Sequence, residues 1–386
     1  MDRVAIVGIG HSRFGRRTDV NIAELAFESI KQAVDDAGVD KKDIKNVILG
    51  SAGTWYEESL PAVIVNEYAG LDSVGTMRVE AACASGSAAL KSAYNSIVSG
   101  EGDVAMAVGV EKMSEVDTPT SVELIGRAGS YMWEFENYGM TFPAYYALYA
   151  VAHMNKYGTT EEDMSRVAVK AHHYGAMNPN AQFQKEITLE KAMNSPVVSW
   201  PLKLYDACPL TDGSAAVILA SEGVAKKLTD TPVWVKGIGY SSDSANLSRR
   251  SDYVGLEAAA QAARRAYTAA KVTPQDIDVA TVHDCFTVAE LMAYEDLGLC
   301  KKGESAKMIR EGQTELGGKI PVNLDGGLKA KGHPIGATGV SMAVEITKQL
   351  RGEAGRHQAP IKKGLGLVHN VGGTGHYAYV TVLSRD

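Results

Sequence analysis

Cys83 stands just before a predicted helix that begins with very small residues. The segment 80–100 reads EAACASGSAALKSAYNSIVSG, and its apolar residues fall on one helical face. A helix N-terminus offers free amide donors and a positive dipole end, which lower the pKa of a thiol and stabilise an anion. This position predicts that Cys83 is a thiolate nucleophile whose own amide can hold an oxyanion. The alternative, a small buried apolar residue, stays open at this point.

A second pair of titratable groups lies in the segment TVHDCFTVAEL at 281–291. His283 and Cys285 are two residues apart, so they share one face if the preceding strand continues. Sites in α/β proteins lie at such strand ends. We expect Asp284, which points the other way, to cap the helix that follows. The alternative is a buried histidine with a backbone partner beside a core cysteine.

Two glycine-rich loops carry the remaining candidates. His333 lies in NLDGGLKAKGHPIGATGVSMA at 323–343, an irregular loop that we expect to end at a helix start near Gly336. The segment KGLGLVHNVGGTGHYAYVTVL at 363–383 predicts a strand, a turn and a strand. Gly372 and its neighbours there allow the backbone to approach a ligand closely. A tight hairpin would use the same residues.

An internal repeat predicts the elements that must position these residues. VAIVGIG at 4–10 returns as VWVKGIG at 233–239, and 33–50 resembles 266–284. A weaker match pairs CASGSAAL at 83–90 with GATGVSMA at 336–343. The repeat predicts two similar α/β domains about a pseudo-twofold axis. That axis would bring the helix after Cys83 against the helix after His333, so we expect a nucleophile–base pair.

A long insertion interrupts the first copy of the repeat. It lies between the predicted strands at 103–110 and 214–220 and has no counterpart in the second copy. We predict an N-terminal domain at 1–228, with an inserted loop region at about 115–208, and a C-terminal domain at 229–386. Pro143 and Gly158 bound one predicted helix, and Thr160 with Asp163 begins another. We expect the insertion either to make contacts with substrate and partners or only to cover core that would otherwise be exposed.

Composition excludes several functional classes. The 386 residues carry a formal net charge of −7, which argues against nonspecific nucleic-acid binding. No segment approaches the roughly 20 apolar residues of a membrane span, and the first residues do not resemble a signal peptide. Four cysteines without a CxxC pair predict neither a disulfide scaffold nor a zinc site. We therefore expect a reduced, cytoplasmic protein without a bound metal.

Taken together, these motifs resemble the thiolase superfamily over essentially the whole chain. AACASG looks like the family's nucleophile loop, and KGHPIGATG looks like its GHP loop. HDCF stands where biosynthetic thiolases carry NEAF, and with HNVGG it is most similar to archaeal and sterol-carrier-protein-type thiolases. The resemblance implies a duplicated five-layered α-β-α-β-α fold with an inserted loop domain.

The resemblance also implies a role for each candidate residue. Cys83 would be acylated, and His333 would activate it and then help to bind the thioester oxygen of an enolate. Cys285 would remove the α-proton of the second acyl-CoA, and His283 would replace the asparagine of NEAF. The amides of Cys83 and Gly372 would form the second oxyanion hole. The implied reaction joins two acetyl-CoA molecules to acetoacetyl-CoA, with coenzyme A thioesters as substrates and no cofactor.

One departure from the family pattern leaves other activities open. Many thiolases keep a second cysteine in the last glycine-rich loop, where this chain has Asn370-Val371-Gly372. The HDCF subgroup supplies that thiol from Cys285 instead. The alternatives are a degradative 3-ketoacyl-CoA thiolase of longer chains, a ketoacyl synthase and a noncatalytic CoA-binding scaffold.

The resemblance further implies partners. Thiolases form tight dimers, often paired into tetramers, which here would place the strand at 75–79 near the interface. Archaeal relatives are associated, in the mevalonate pathway, with a hydroxymethylglutaryl-CoA synthase and a small OB-fold, zinc-ribbon protein that bridges the two. Five aromatic residues of the insertion would suit such an interface, or would fill its own core. These are Tyr131, Trp133, Phe135, Tyr138 and Phe142.

Overall fold

The computed structural model describes residues 3–386. Its strands are β1 Val4–His11, β2 Asn46–Gly50, β3 Gly75–Val79, β4 Val104–Glu111, β5 Val197–Ser199, β6 Leu202–Lys203, β7 Gly213–Ser221, β8 Val233–Ser242, β9 Val279–Thr281, β10 Leu365–Gly372 and β11 Tyr377–Ser384. Its α-helices are α1 Ile22–Ala37, α2 Pro61–Ala69, α3 Ser85–Val98, α4 Thr118–Gly126, α5 Phe142–Tyr157, α6 Glu161–Gly175, α7 Leu189–Met193, α8 Glu222–Leu228, α9 Glu257–Ala270, α10 Thr287–Asp296, α11 Ser305–Arg310 and α12 Thr338–Arg351.

One large sheet runs through both halves of the chain. Its strand order is β3-β2-β4-β7-β1-β8-β11-β10-β9, and β5 with β6 forms a separate hairpin. Reading outward from the β1–β8 contact, both halves show two antiparallel pairings followed by a parallel one. The repeat predicted from the sequence therefore corresponds to the matching order of strand pairings in the two halves of the sheet.

Glycines in the two copies of the first strand let a helix lie directly on the sheet. A Cβ atom at Gly10 of β1 would collide with the backbone oxygen of Ser29 in α1. A Cβ atom at Gly239 of β8 would collide with the backbone oxygen of Ala262 in α9. The GIG ending shared by both strands is thus a packing requirement repeated in each half.

Five layers result from this packing. Helix α1 packs on the outer face of the N-terminal half of the sheet, and α9 packs on the outer face of the C-terminal half. Helices α3 and α12 lie between the two half-sheets and contact each other. This arrangement confirms the predicted duplicated α-β-α-β-α fold.

The insertion lies between β4 and β7 and comprises α4 to α7 with the β5–β6 hairpin. Gly158 ends α5 in the left-handed conformation, and Thr160 and Asp163 cap the start of α6 reciprocally, as predicted. At the equivalent place in the other half, β10 and β11 are joined by a turn at 373–376. The domain limits at 1–228 and 229–386 stay predictions. No helix within residues 3–386 is long and apolar enough to cross a membrane.

Candidate active site

Cys83 lies in a strained turn between β3 and α3. Ala82 has a φ of 50°, in the left-handed region that costs an L-residue roughly 1–2 kcal/mol. The Ser85 hydroxyl holds this turn, because it donates to the Ala82 carbonyl at 2.6 Å and accepts from the Ala81 amide at 2.9 Å. Cys83 is buried, two residues before the first residue of α3.

The expectation that the helix start lowers the pKa of Cys83 is wrong for this state of the protein. Burial raises the pKa of the Cys83 thiol to about 12, although a hydrogen bond from the Gly373 amide acts in the opposite direction. Withdrawal from water outweighs the helix terminus, so the thiol is neutral. Cys83 therefore needs a base beside it to act as a nucleophile.

His333 presents one ring nitrogen as that base. The Thr338 hydroxyl donates its proton to the Pro334 carbonyl at 2.9 Å, and the same oxygen lies 2.7 Å from Nδ1 of His333. Nδ1 must then carry the proton of the ring, which leaves Nε2 as the free acceptor. Nε2 has no partner among the described residues, and burial lowers the pKa of His333 to about 3.

His283 has the opposite tautomer. The Asn370 amide nitrogen donates to Nδ1 of His283 at 3.2 Å and to the Cys83 carbonyl at 3.0 Å. Because Nδ1 accepts, Nε2 of the neutral ring carries the proton and can donate a hydrogen bond. Burial is the main cause that lowers the pKa of His283 well below its usual range. The site thus offers one imidazole that accepts a proton and one that donates a hydrogen bond.

The repeat brings the two helix starts together as predicted. A Cβ atom at Gly86 of α3 would collide with the backbone of Gly339 in α12, so the two helices meet at these glycines. The Cys83 sulfur and one ring nitrogen each of His283 and His333 lie within 4.8 Å of one another. The two imidazole rings are 5.0 Å apart and nearly perpendicular.

The same three donors are the one set in the described part of the chain that could hold a metal ion. Thiolate and imidazole are ligands that Zn²⁺ accepts. A bound ion would occupy the thiol and both rings and would leave no free base. The absence of a metal stays a prediction.

Cys285 is the fourth candidate side chain, and it is buried like the other three. Burial raises the pKa of its thiol well above the usual range, whereas the neighbouring Tyr146 hydroxyl acts in the opposite direction. The phenol ring of Tyr146 stacks on Phe286 at 4.5 Å, which fixes it beside both Cys285 and Cys83. The structure therefore brings all four candidate side chains to one buried site.

Asp284 does not cap the helix that follows it, contrary to the sequence prediction. Its carboxylate accepts from the amides of Leu328 at 2.7 Å and Lys329 at 3.2 Å, in a π-helical turn at Gly327–Lys331. That turn leads directly into the loop of His333. Asp284 therefore ties the segment of His283 and Cys285 to the segment of His333 across the fold.

Gly372 ends β10 against the turn that carries Cys83. A Cβ atom there would collide with the Ala81 carbonyl and would lie 3.2 Å from the Ala84 amide. Only glycine fits this approach. The structure thus places Gly372 next to the nucleophile turn, while its role in an oxyanion hole stays a prediction.

Three residues of the site were not found from the sequence. Asn370 was noted only for lacking a thiol, although a carboxamide in a strand that is otherwise mostly apolar was a usable signal. Cys208 lies beside the site, because its amide donates to the Cys285 carbonyl at 2.9 Å. Tyr146 belongs to an aromatic-rich helix in which no pattern distinguishes it from its neighbours.

A cavity of about 660 Å³ opens beside Cys208. Its walls include four cations, Arg13, Lys185, Lys191 and Lys329, and no carboxylate. Lys329 is 2% exposed, and its amine lies 5.6 Å from the ring centre of Phe183 and of Tyr205. Cations around a partly apolar cavity suit a ligand with phosphates at one end and an uncharged chain at the other.

Family models match both halves of the chain. Residues 4–223 match the thiolase N-terminal domain, and residues 239–385 match a domain described as thiolase C-terminal domain-like. A solved structure described as the Ltp2-ChsH2(DUF35) aldolase has a TM-score of 0.88 and 27% identity, and the match covers 100% of this chain and 98% of that one.

Curated relatives agree with these models along the whole length. The acetyl-CoA acetyltransferase of Methanothermobacter thermautotrophicus is 43% identical, and the match covers 100% of both chains. Sterol carrier protein 2 of Bos taurus is 35% identical over 96% of this chain and 70% of its own length. With a duplicated fold, two matching domain models and these relatives, the chain belongs to the thiolase family.

Proposed function

We propose that this chain is an acetyl-CoA acetyltransferase that joins two molecules of acetyl-CoA into acetoacetyl-CoA. The observation that carries the proposal is the buried cluster in which the Cys83 thiol and two imidazoles lie within 4.8 Å of one another. A relative named acetyl-CoA acetyltransferase, 43% identical over the full length, supports the choice of substrate.

In the first half-reaction, Cys83 attacks the thioester carbonyl of acetyl-CoA. Nε2 of His333 takes the thiol proton, because it is the unprotonated nitrogen of that ring. The C–S bond to coenzyme A then breaks, and the leaving thiolate takes a proton from Cys285. Transfer through a covalent thioester suits a thiol, which is both a good nucleophile and a good leaving group.

In the second half-reaction, Cys285 removes the α-proton of a second acetyl-CoA. The α-proton is weakly acidic, so the enolate oxygen must be held by donors as it forms. His283 can donate from Nε2, and protonated His333 can donate beside it. The enolate carbon then attacks the acetyl group on Cys83. The C–S bond to Cys83 breaks to release acetoacetyl-CoA, and the Cys83 sulfur recovers its proton from His333.

The cavity beside Cys208 is the site we propose for coenzyme A. Lys185, Lys191 and Arg13 would hold the phosphates, and the pantetheine chain would run toward Cys208, which is backbone-paired with Cys285. No other cofactor is needed for this chemistry.

Activity measured in both directions tests the proposal. We expect acetoacetyl-CoA with free coenzyme A to give acetyl-CoA, and acetyl-CoA alone to give a small amount of acetoacetyl-CoA. Cleavage that is fast only with longer 3-ketoacyl-CoA substrates would favour the degradative alternative. Absence of any acyl transfer would favour the scaffold.

We also propose a homodimer formed through β3. This strand lies at the edge of the sheet, one of its edges has no strand partner among residues 3–386, and Met77 on it is 53% exposed. Unpaired edges of this kind are templates for pairing with another chain. A monomer by light scattering at micromolar concentration would contradict this assembly.

A cytoplasmic complex in the mevalonate pathway is the finer proposal, with a hydroxymethylglutaryl-CoA synthase and a small OB-fold, zinc-ribbon protein as partners. The similar solved structure named with a DUF35 component supports a small partner. Two of the five aromatic residues noted in the insertion face outward: Trp133 is 69% exposed and Tyr138 is 78% exposed. The other three are partly buried, and the rings of Tyr131 and Phe135 stack at 5.4 Å.

Substitution of the two outward aromatic residues tests this complex. Co-expression with the partners followed by size-exclusion chromatography should give co-elution that is lost when Trp133 and Tyr138 are both changed to Ser. Because neither side chain is buried, the double variant should keep its activity as a free enzyme. Elution of the wild-type enzyme alone at every ratio would contradict the complex.

A further inference from the structure

Glu111 is a fully buried carboxylate at the end of β4 that joins the two halves of the molecule. One carboxylate oxygen accepts from the amides of Ala52 at 2.9 Å and Gly336 at 3.0 Å. The other accepts from the Ser51 hydroxyl at 3.1 Å and the Gly53 amide at 3.3 Å. Three of these donors belong to the N-terminal half, and Gly336 belongs to the loop of His333.

The contact at Gly336 leads to the His333 ring through one short turn. The Ala337 amide donates to the Pro334 carbonyl at 2.9 Å, and the Thr338 amide donates to the same carbonyl at 3.0 Å. The Thr338 hydroxyl at the end of this turn is the group that orients His333 through Nδ1. A shift of Gly336 would therefore move both the backbone of His333 and the hydroxyl that fixes its tautomer.

Glu111 is the acceptor that the Gly336 amide meets at this contact. A Cβ atom at Gly336 would lie 2.5 Å from the carbonyl oxygens of both Gly50 and Val110, so the loop is pressed against the ends of β2 and β4. A buried amide without a partner is costly. The carboxylate supplies the acceptor that the Gly336 amide lacks.

The charge of Glu111 does not by itself favour catalysis. Burial raises the pKa of Glu111 to about 7, and its negative charge adds to the effects that raise the pKa of Cys83. A carboxylate near the nucleophile opposes formation of the thiolate. Any benefit to the reaction must therefore come from the geometry that Glu111 imposes.

We propose that Glu111 is a positioning residue that holds His333 over Cys83 by binding the amide of Gly336. The inference rests on the proposed acyl transfer to Cys83. Neither half of the chain can build the nucleophile–base pair alone. This carboxylate is one of the polar ties between them at the catalytic end, beside the hydrogen bonds from Asn370 to the Cys83 carbonyl and from the His333 amide to the Thr211 hydroxyl. Glu111 does not line the cavity proposed for coenzyme A.

Removal and conservative replacement of the carboxylate test the proposal. In Glu111→Ala the acetylation rate constant of Cys83 should fall about a hundredfold, as expected for a misplaced reacting group. The KM for acetyl-CoA should stay within about threefold, because substrate binding is untouched. Glu111→Gln should recover most of the rate. Its one oxygen can face Ala52 and Gly336, while its amide nitrogen can donate to the Ser51 oxygen and only the long contact from the Gly53 amide is lost.

Glu295→Ala is the matched control. Glu295 is also a buried carboxylate, and it accepts from the Ser305 hydroxyl at 2.6 Å and the Ser305 amide at 3.3 Å. It lies at the C-terminal end of α10, the end opposite Cys285, and Ser305 begins α11. Its loss should lower the free energy of unfolding but leave acetylation unchanged per folded molecule. Folded Glu111→Ala that acetylates within threefold of wild type would overturn the proposal, as would a Gln variant as slow as the Ala variant.

A second variant and a second measurement keep the outcome decisive. If Glu111→Ala does not fold, Glu111→Asp, which is one methylene too short to serve both loops, should lose about tenfold in rate. Wild-type speed in that variant would overturn the proposal. If the wild-type enzyme is not acetylated at all, the proposed function fails instead. A crystal structure of the variant then decides the positioning claim by whether the His333 ring moves.

Discussion

The starts of α3 and α12 are counterparts in the repeat, and each is anchored by the opposite half of the molecule. The α3 start, with Cys83, receives a hydrogen bond from Asn370 and packs against Gly372 of β10. The α12 start, near His333, donates to Glu111 of β4. Strands β4 and β10 occupy equivalent places in the sheet. Each half of the molecule therefore holds in place the functional helix start of the other half.

The two anchors differ in charge, and the difference has a physical reason. A carboxylate supports the loop of the base, whereas an uncharged carboxamide and a glycine support the turn of the nucleophile. A negative charge directly against Cys83 would disfavour its thiolate. Glu80 and Glu111 already raise the pKa of Cys83, so an uncharged group at the place of Asn370 avoids a further increase.

The largest expected effect follows from the nucleophile side of this comparison. Cys83→Ser should lower acyl transfer by at least about a thousandfold, since a serine hydroxyl is not ionised near neutrality and is a poorer nucleophile. Steady-state thiolysis of acetoacetyl-CoA measures the loss. Turnover within a few-fold of wild type would remove Cys83 from its role.

Cys285→Ala should separate the two half-reactions. Acetylation of Cys83 should stay measurable, whereas condensation should fall about a hundredfold because the α-proton has lost its base. Single-turnover acetylation and steady-state condensation measured on the same preparation give both numbers. An equal loss in both would assign Cys285 to the structure of the site instead.

Asn370→Ala removes the anchor on the nucleophile side. The variant loses one hydrogen bond to the Cys83 carbonyl and one to His283. Each is worth about 1 kcal/mol, so we expect roughly a thirtyfold loss in condensation. Asn370→Asp is informative beside it. A carboxylate at this place would add a further negative charge to those of Glu80 and Glu111, which already raise the pKa of Cys83, and should be slower than the Ala variant.

The smallest effect is a slope in pH. Burial places the pKa of Cys83 at about 12, so the thiolate fraction of the free enzyme should rise about tenfold per pH unit below that value. Alkylation of Cys83 by iodoacetamide between pH 7 and 9 should therefore increase without levelling off. A plateau beginning near pH 7 would show that the helix start does stabilise the thiolate, as the sequence argument predicted.

Much of the fold could be predicted because it depends on local signals. Gly10 and Gly239 recur for the same strand–helix approach, and Gly158 and Thr160 are end signals that need no tertiary information. The meeting of Cys83 with His333 also followed from the repeat. These predictions held because residues at matching positions of the sequence repeat lie at matching places in the two halves of the fold.

The supporting contacts of the site could not be predicted in the same way. Glu111 and Gly336 are 225 residues apart, and Asp284 caps a turn more than forty residues away instead of the adjacent helix. Such pairings depend on the final packing of the two halves and produce no periodic pattern in the sequence. The prediction of a lowered pKa for Cys83 was wrong for a related reason, because burial is a property of the whole fold.

The most direct test of the account is the site of covalent acetylation. The purified enzyme is mixed with acetyl-CoA, quenched in acid and digested, and the masses of the peptides are measured by mass spectrometry. We predict one acetyl group per chain on the peptide that contains Cys83, and no adduct in Cys83→Ser. An acetyl group on Cys208, Cys285 or Cys300, or no acetyl group at all, would contradict the assignment of the nucleophile.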